Sequence, residues 1–288
     1  MTIRELTNEK EINLWLKELD ERGCNTIALD IEGEFNLHCY GEHLCLIQIF
    51  DGLESIIIDP LKLKKPEAYR KVFEKRELLK IMYDSASDAS LMKNGYGIHI
   101  KSILDLRPAV SLLEFEKQSL SAALEQVLDI APPNKKKFQM YNWMKRPIET
   151  QALEYAMGDV LHLYELKSEL LKILDKKGLT DTFILRNLMA QNGEIKNNKI
   201  DRYKKAKGFR YLSGDKKELF KNEFNIRDEF ARKLNRPPDY VFRNRDLLDF
   251  CKDHHDNPNF IDKGINARIE GKVREDLSTA MKKAAGIK

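Results

Sequence analysis

The chain has 288 residues, 42% hydrophobic and 33% charged, with fifty Lys and Arg against forty-six Asp and Glu. The apolar share excludes wholesale disorder, and the length predicts one large plus one small domain, or two similar ones. A formal charge of +4 only mildly favours an anionic partner, and the four cysteines, at 24, 39, 45 and 251, match neither a zinc knuckle nor a disulfide scaffold.

The N-terminal stretch carries charges throughout, and nowhere do eighteen uncharged apolar residues run together. Reduced thiols in a cytoplasmic monomer without membrane contact are therefore expected. From Asn8 to Glu21, Ile12, Trp15, Leu16 and Leu19 fall at helical spacing, with Thr7 or Asn8 available as the N-cap. Three β-prone runs follow as a meander: Asn25 to Glu32, Leu44 to Phe50 and Ser55 to Asp59. Pro66 opens a helical pattern, Leu79 to Tyr83 is a short buried strand, Ser87 to Asn94 a helix ending at Gly95, and Ile103 to Asp105 a strand end. Strands alternating with helices predict an α/β domain with a mixed sheet.

Beyond Ser119 the pattern is helical, over Leu120 to Leu128 and then Ile148 to Lys176. The stretch Gln191 to Lys217 is rich in Asn, Gly and Lys and reads as an interdomain connection. Helical periodicity resumes over Lys216 to Leu234, Asn244 to Lys252 and Glu275 to Lys283, as a small all-helical domain. The resulting division is 1–190, a basic linker over 191–212, and 213–288.

Asp30 and Glu32 are two apart at the end of a hydrophobic strand, so both carboxylates lie on one face. Such a pair either ends a strand in solvent or surrounds a cation. Tyr155 and Asp159, four apart in a strongly helical segment, share a face one turn apart. Asp159 sits among Ala156, Met157, Gly158, Val160 and Leu161, where a carboxylate needs a cation or a cluster of donors. Asp88 begins a helix, and Asp84 and Ser85 compete with it as N-caps. Together, four carboxylates and a tyrosine suit two-metal phosphoryl chemistry, and hard oxygen ligands favour Mg²⁺ or Mn²⁺.

The order Asp30-Ile-Glu32, Asp88 and Tyr155-Ala-Met-Gly-Asp159 resembles the tyrosine subclass of the DEDD exonuclease superfamily. Leu44-Cys-Leu-Ile-Gln-Ile49, Lys80 to Asp88 and Phe138 to Pro147 resemble ribonuclease D, and Asn225 to Pro238 is similar to the opening of the helicase and ribonuclease D C-terminal (HRDC) domain. The resemblance implies a ribonuclease H-like exonuclease domain followed by a small all-α HRDC-like domain. It also implies that Asp30, Glu32, Asp88 and Asp159 hold two divalent ions and that Tyr155 orients the attacking water. The implied reaction releases nucleoside 5′-monophosphates from the 3′ end of RNA, transfer RNA precursors or other small RNAs being the expected partners. A DNA 3′-to-5′ exonuclease and a catalytically silent nucleic-acid-binding adaptor are the alternatives. Tyr83 departs from the His of many relatives, and Gly33-Glu34 from their Phe.

Outside this set, Asp105 is read as a cap or loop anchor, Trp143 as core and Arg146 as a partner of a carboxylate or a phosphate. His38, His43 and His162 show no ligand spacing. Lys196, Lys199, Arg202, Lys204, Lys205, Lys207 and Arg210, interleaved with Tyr203, Phe209 and Tyr211, suit single-stranded nucleic acid or a solvated face. Lys135 to Lys137 is a second basic candidate.

Overall fold

A computed structural model describes residues 2–63, 65–131, 138, 140–192 and 202–287. The basic candidates Lys135 to Lys137, Lys196 and Lys199 lie outside the described residues. Two compact units are formed, one by Met1–Glu34 with Glu42–Lys196, the other by Phe35–Gly41 with Asn197–Lys288.

The first unit begins with β1 (Ile3–Leu6) and α1 (Glu9–Glu21), then β2 (Thr26–Phe35), β3 (Glu42–Phe50) and β4 (Ser55–Ile58). After α2 (Pro60–Leu63) and α3 (Glu67–Glu74) come β5 (Leu79–Met82), α4 (Ala86–Tyr96), β6 (Ile103–Asp105) and α5 (Arg107–Leu112). The unit closes with α6 (Leu120–Leu128), α7 (Thr150–Gly158), α8 (Leu163–Lys176) and α9 (Thr180–Asn192). Asn8 caps α1 by accepting the Glu11 N–H. The six strands are ordered β1-β4-β3-β2-β5-β6, with β3 antiparallel to β4 and the pairs β1/β4, β2/β5 and β5/β6 parallel. The expected mixed α/β sheet is thereby borne out.

Alternation along β2 sets the layers. Ile27, Leu29 and Ile31 enter one core cluster, with Trp15, Phe73 and Leu91. Ala28 faces the other, with Ala156, Met157, Val160 and Leu166. With a period of two, Asp30 and Glu32 follow Ala28 toward the layer that contains α7. On the β6 edge, the side-chain amides of Asn187 and Gln191 bond the backbone of Asp105 and Ile103, at 2.8 to 3.3 Å, and cap an otherwise open strand.

Several elements differ from expectation. The charged four-residue β1 is too short to show a period, and β2 runs past Glu32 to Phe35, so the acid pair sits within the strand. Helix α4 passes through Gly95 and ends at Gly97, whose φ of 62° supplies the left-handed cap. The helix expected over Ile148 to Lys176 is interrupted. Asp159 is the C-cap of α7, and the chain turns at Asp159 to His162 before α8. Gly158, a weak helix former, precedes the break.

The second unit holds 3₁₀ turns at Arg202–Lys205 and Phe209–Tyr211, then α10 (Gly214–Leu234), α11 (Pro238–Val241), α12 (Asn244–Asp253), α13 (Pro258–Gly264) and α14 (Gly271–Ala284). Phe220, Phe224, Phe242, Leu247, Phe250 and Leu277 form its core, and the expected small all-helical region is borne out. Its Phe35–Gly41 segment is anchored by Tyr40, whose hydroxyl donates to Asp228 at 2.5 Å. The Tyr40 ring lies 5.7 and 5.5 Å from the guanidinium groups of Arg202 and Arg232.

Candidate active site

Strand β2 and helix α7 bring three of the predicted acids together: one carboxylate oxygen each from Asp30, Glu32 and Asp159 lies within 4.8 Å of the others. Asp88 arrives by a different route. Ala28 pairs with Ile81 near the end of β5, so β2 continues toward Asp30 where β5 gives way to α4. The first turn of α4 then carries Asp88, whose charge acts on Asp30.

The Asp30 carboxyl lies in a desolvated position, and burial raises its pKa well above the ordinary carboxylate range. Asp88, Asp159 and Glu32 raise it further. Burial also lifts Asp88, to about 7, against a hydrogen bond from Ser87 and with a further push from Asp105 and Asp84. Four acids arranged so that each neighbour of Asp30 repels its charge are matched by divalent cations. Their all-oxygen donor set suits a hard divalent cation better than a soft metal. Tyr155 stands one turn before Asp159, and burial, with Asp159, Glu32 and Asp30 nearby, pushes its phenol pKa up. That hydroxyl remains protonated at any ordinary pH.

The remaining candidates separate from this cluster. Asp84 is exposed and bonds Arg107 at 2.9 Å. Asp105 accepts the N–H groups of Asp84, Ser85 and Arg107 and the Ser85 hydroxyl, so it anchors the loop between β5 and α4. Arg146 forks onto buried Asp59 at 2.7 and 2.8 Å, and Trp143 is core. His162 pairs with Glu165 at 3.0 Å. Tyr83 donates its hydroxyl to the Gln118 carbonyl at 2.7 Å. An aromatic ring that sequence reasoning did not assign to the site is present: Phe138 stacks on Tyr155, with centroids 5.2 Å apart and planes at 28°.

Residues 3–175 match the family model described as 3′-5′ exonuclease. The chain is a member of the 3′-5′ exonuclease family. This exonuclease is similar to the ribonuclease D of Desulfotalea psychrophila, 28% identical over 95% of this chain and 74% of the relative. It is 24% identical to the rat exosome complex component 10 over 83% of this chain, but spans only 28% of that protein. The crystal structure of Escherichia coli RNase D, an exoribonuclease involved in structured RNA processing, superposes with a TM-score of 0.74 at 18% identity, over all of this chain and 76% of the other. The ribonuclease D-like character expected from the motifs is borne out, in sequence and in fold. No helix among the described residues is long and apolar enough to cross a membrane.

Proposed function

We propose that this exonuclease removes nucleotides from the 3′ end of RNA, with Asp30, Glu32, Asp88 and Asp159 holding two divalent ions and Tyr155 orienting the attacking water. The observation that carries the reading is the convergence of Asp30, Glu32 and Asp159, with Asp88 raising the same buried carboxyl. Bound there, Mg²⁺ or Mn²⁺ would neutralise charge on the phosphodiester and activate the water for in-line displacement. The chain's own contribution is a rigid scaffold. Asp30 and Glu32 are fixed by the β2 pleat, and Asp159 by the cap that ends α7. Tyr155, protonated throughout, acts as a hydrogen-bonding partner that aims the water and not as a proton acceptor.

The choice of RNA over DNA is supported by the names of the relatives, ribonuclease D above all. Transfer RNA precursors and other small structured RNAs with single-stranded 3′ ends are the proposed substrates, nucleoside 5′-monophosphates the products, and a cytoplasmic monomer the working form. The second unit is read as an HRDC-like domain, the sequence dividing into exonuclease domain 1–190, basic linker 191–212 and HRDC-like domain 213–288. Among the described residues of this unit, Arg210 lies 4.6 Å from the ring of exposed Tyr211, the pairing of charge and ring that single-stranded nucleic acid favours.

The test is parallel digestion of RNA and DNA oligonucleotides of one sequence, labelled at the 5′ end, with Mg²⁺, Mn²⁺ or chelator. A metal-dependent ladder shortening from the 3′ end on RNA is expected. Equal digestion of DNA would move the function to a general 3′-to-5′ exonuclease, and activity in chelator would remove the metal assignment.

A further inference from the structure

We infer that Phe138 is a positioning residue for Tyr155, stacking on its ring so that the hydroxyl is aimed into the acid cluster; this rests on the role proposed above for Tyr155. The stacked contact, 5.2 Å between centroids at 28°, is the last of a series. Behind Phe138 stands Tyr141, 6.0 Å away and tilted by 57°, and behind Tyr141 stands Trp143, 4.8 Å away and edge-on at 64°. Trp143 is only 5% exposed and belongs to the core cluster of α7 and α8. The series is therefore fixed at its far end.

Two further contacts tie the same segment to the sheet and to the helix that carries Tyr155. Arg146 bonds both oxygens of buried Asp59 and, at 2.7 Å each, the carbonyls of Trp143 and Cys45. The Tyr141 hydroxyl accepts the N–H of Glu149, the N-cap residue of α7, at 3.2 Å. The stretch from Tyr141 to Arg146 and the start of α7 thus share one anchor. Movement of one against the other is restrained.

A tyrosine on a helix end has a ring that swings about χ1 and χ2, and its hydroxyl, at the far end of the side chain, moves most. Packing of α7 on the core holds the Tyr155 backbone, and Phe138 covers one face of its ring. A stacked pair favours its aligned arrangement by about tenfold over unstacked alternatives. In catalysis that bias falls on the orientation of one hydroxyl, where small displacements carry large rate penalties.

The experiment compares the full-length protein with Phe138→Leu, Phe138→Tyr, Tyr155→Phe and the Phe138→Leu/Tyr155→Phe double variant. The substrate is a 5′-labelled single-stranded RNA in Mg²⁺, with kcat and KM measured separately and thermal melts in parallel. Phe138→Leu should lower kcat about tenfold with KM within about twofold, and Phe138→Tyr, which keeps the flat face, should restore it. The decisive comparison is the double variant. Tyr155→Phe keeps the ring but leaves no hydroxyl to aim, so Phe138→Leu should cost nothing further in that background. If its loss multiplies with that of Tyr155→Phe, Phe138 supports packing only and the inference falls. It also falls if KM rises while kcat holds, which marks a base contact, or if Phe138→Leu is fully active. A Tyr155→Phe variant with wild-type kcat would overturn the reading of Tyr155 itself, and with it this one, whereas loss in Tyr155→Phe alone would overturn only the role of Phe138.

Discussion

Two buried carboxylates, one in each unit, show how differently the same physical perturbation can be used. Burial is the leading cause that raises Asp30 and also the cause that raises Glu223, the latter to about 8. Around Asp30 the neighbouring charges are three more acids. Around Glu223 there is apolar core, with the buried Cys251 thiol as its titratable neighbour, and among the described residues both carboxylate oxygens lack a hydrogen-bond partner. Arg227, one turn along α10, bonds the Phe242 carbonyl and Asn244 instead, at 3.0 and 2.7 Å. A displaced pKa therefore does not mark a site by itself. What marks the first unit is that like charges converge on one carboxyl, an arrangement that a bound divalent cation would compensate.

Asp30→Asn is expected to cut RNA hydrolysis by roughly three orders of magnitude, since it removes a ligand whose ions supply several kcal/mol. Its melting temperature should stay level or rise, because a buried repulsion is relieved. Activity assays beside thermal melts check both, and an active variant would remove Asp30 from the cluster.

Arg146→Ala tests the converse case, a buried carboxylate that has its counter-charge. Asp59 is 3% exposed, and removing its fork leaves it the Leu61 N–H at 3.0 Å and Lys62 at 4.0 Å, so the change should cost about 3 kcal/mol in denaturant unfolding, the low end for a broken buried pair. A loss below about 1 kcal/mol would mean that Asp59 finds water or another donor.

Glu223 sets a smaller effect with a defined sign. Its folded pKa of about 8 lies above the ordinary 4.5, so its stability contribution is complete below pH 4.5 and is lost as pH rises through about 8. Melting temperature should decline across that window, and Glu223→Gln should flatten the slope. An identical pH profile in the variant would show that Glu223 is hydrated. The smallest effect is expected of Asp84→Asn, which breaks an exposed pair with Arg107: stability should move by less than about 1 kcal/mol and kcat by less than about twofold. A large kcat loss there would exchange the parts given to Asp84 and Asp88.

Much of the site is legible in the chain because short-range periods govern it. A spacing of two on β2 and of four on α7 put Asp30 with Glu32, and Tyr155 with Asp159, on shared faces, and both spacings survive in the structure. Asp88 is different. Its approach depends on where β5 stops relative to β2, a matter of register between strands far apart in sequence, and resemblance alone singled it out over Asp84. The break after Gly158 was invisible to periodicity, since Val160, Leu163 and Leu166 continue an apolar pattern across it. Helix α9 is not legible from periodicity for a related reason: it buries Phe183 and Asn187 but exposes Ile184, Leu185, Leu188 and Met189, so apolar residues fall on both sides and no stripe emerges. The stacking of Phe138 on Tyr155 joins residues 17 apart in sequence, a contact which no local pattern encodes.

The anchoring of Tyr40 has a consequence for the order of events during synthesis. Its hydroxyl partner, Asp228, follows 188 residues later. At ribosomal speeds of about 5–20 residues per second, the Phe35–Gly41 segment waits on the order of 10–40 s for the helix that receives it. During that interval the second unit lacks most of its chain while one of its pieces already hangs between two sheet strands. A C-terminal fragment beginning at Asn197 would meet the opposite problem, carrying Arg202, Asp228 and Arg232 without the Tyr40 that they hold in the whole chain.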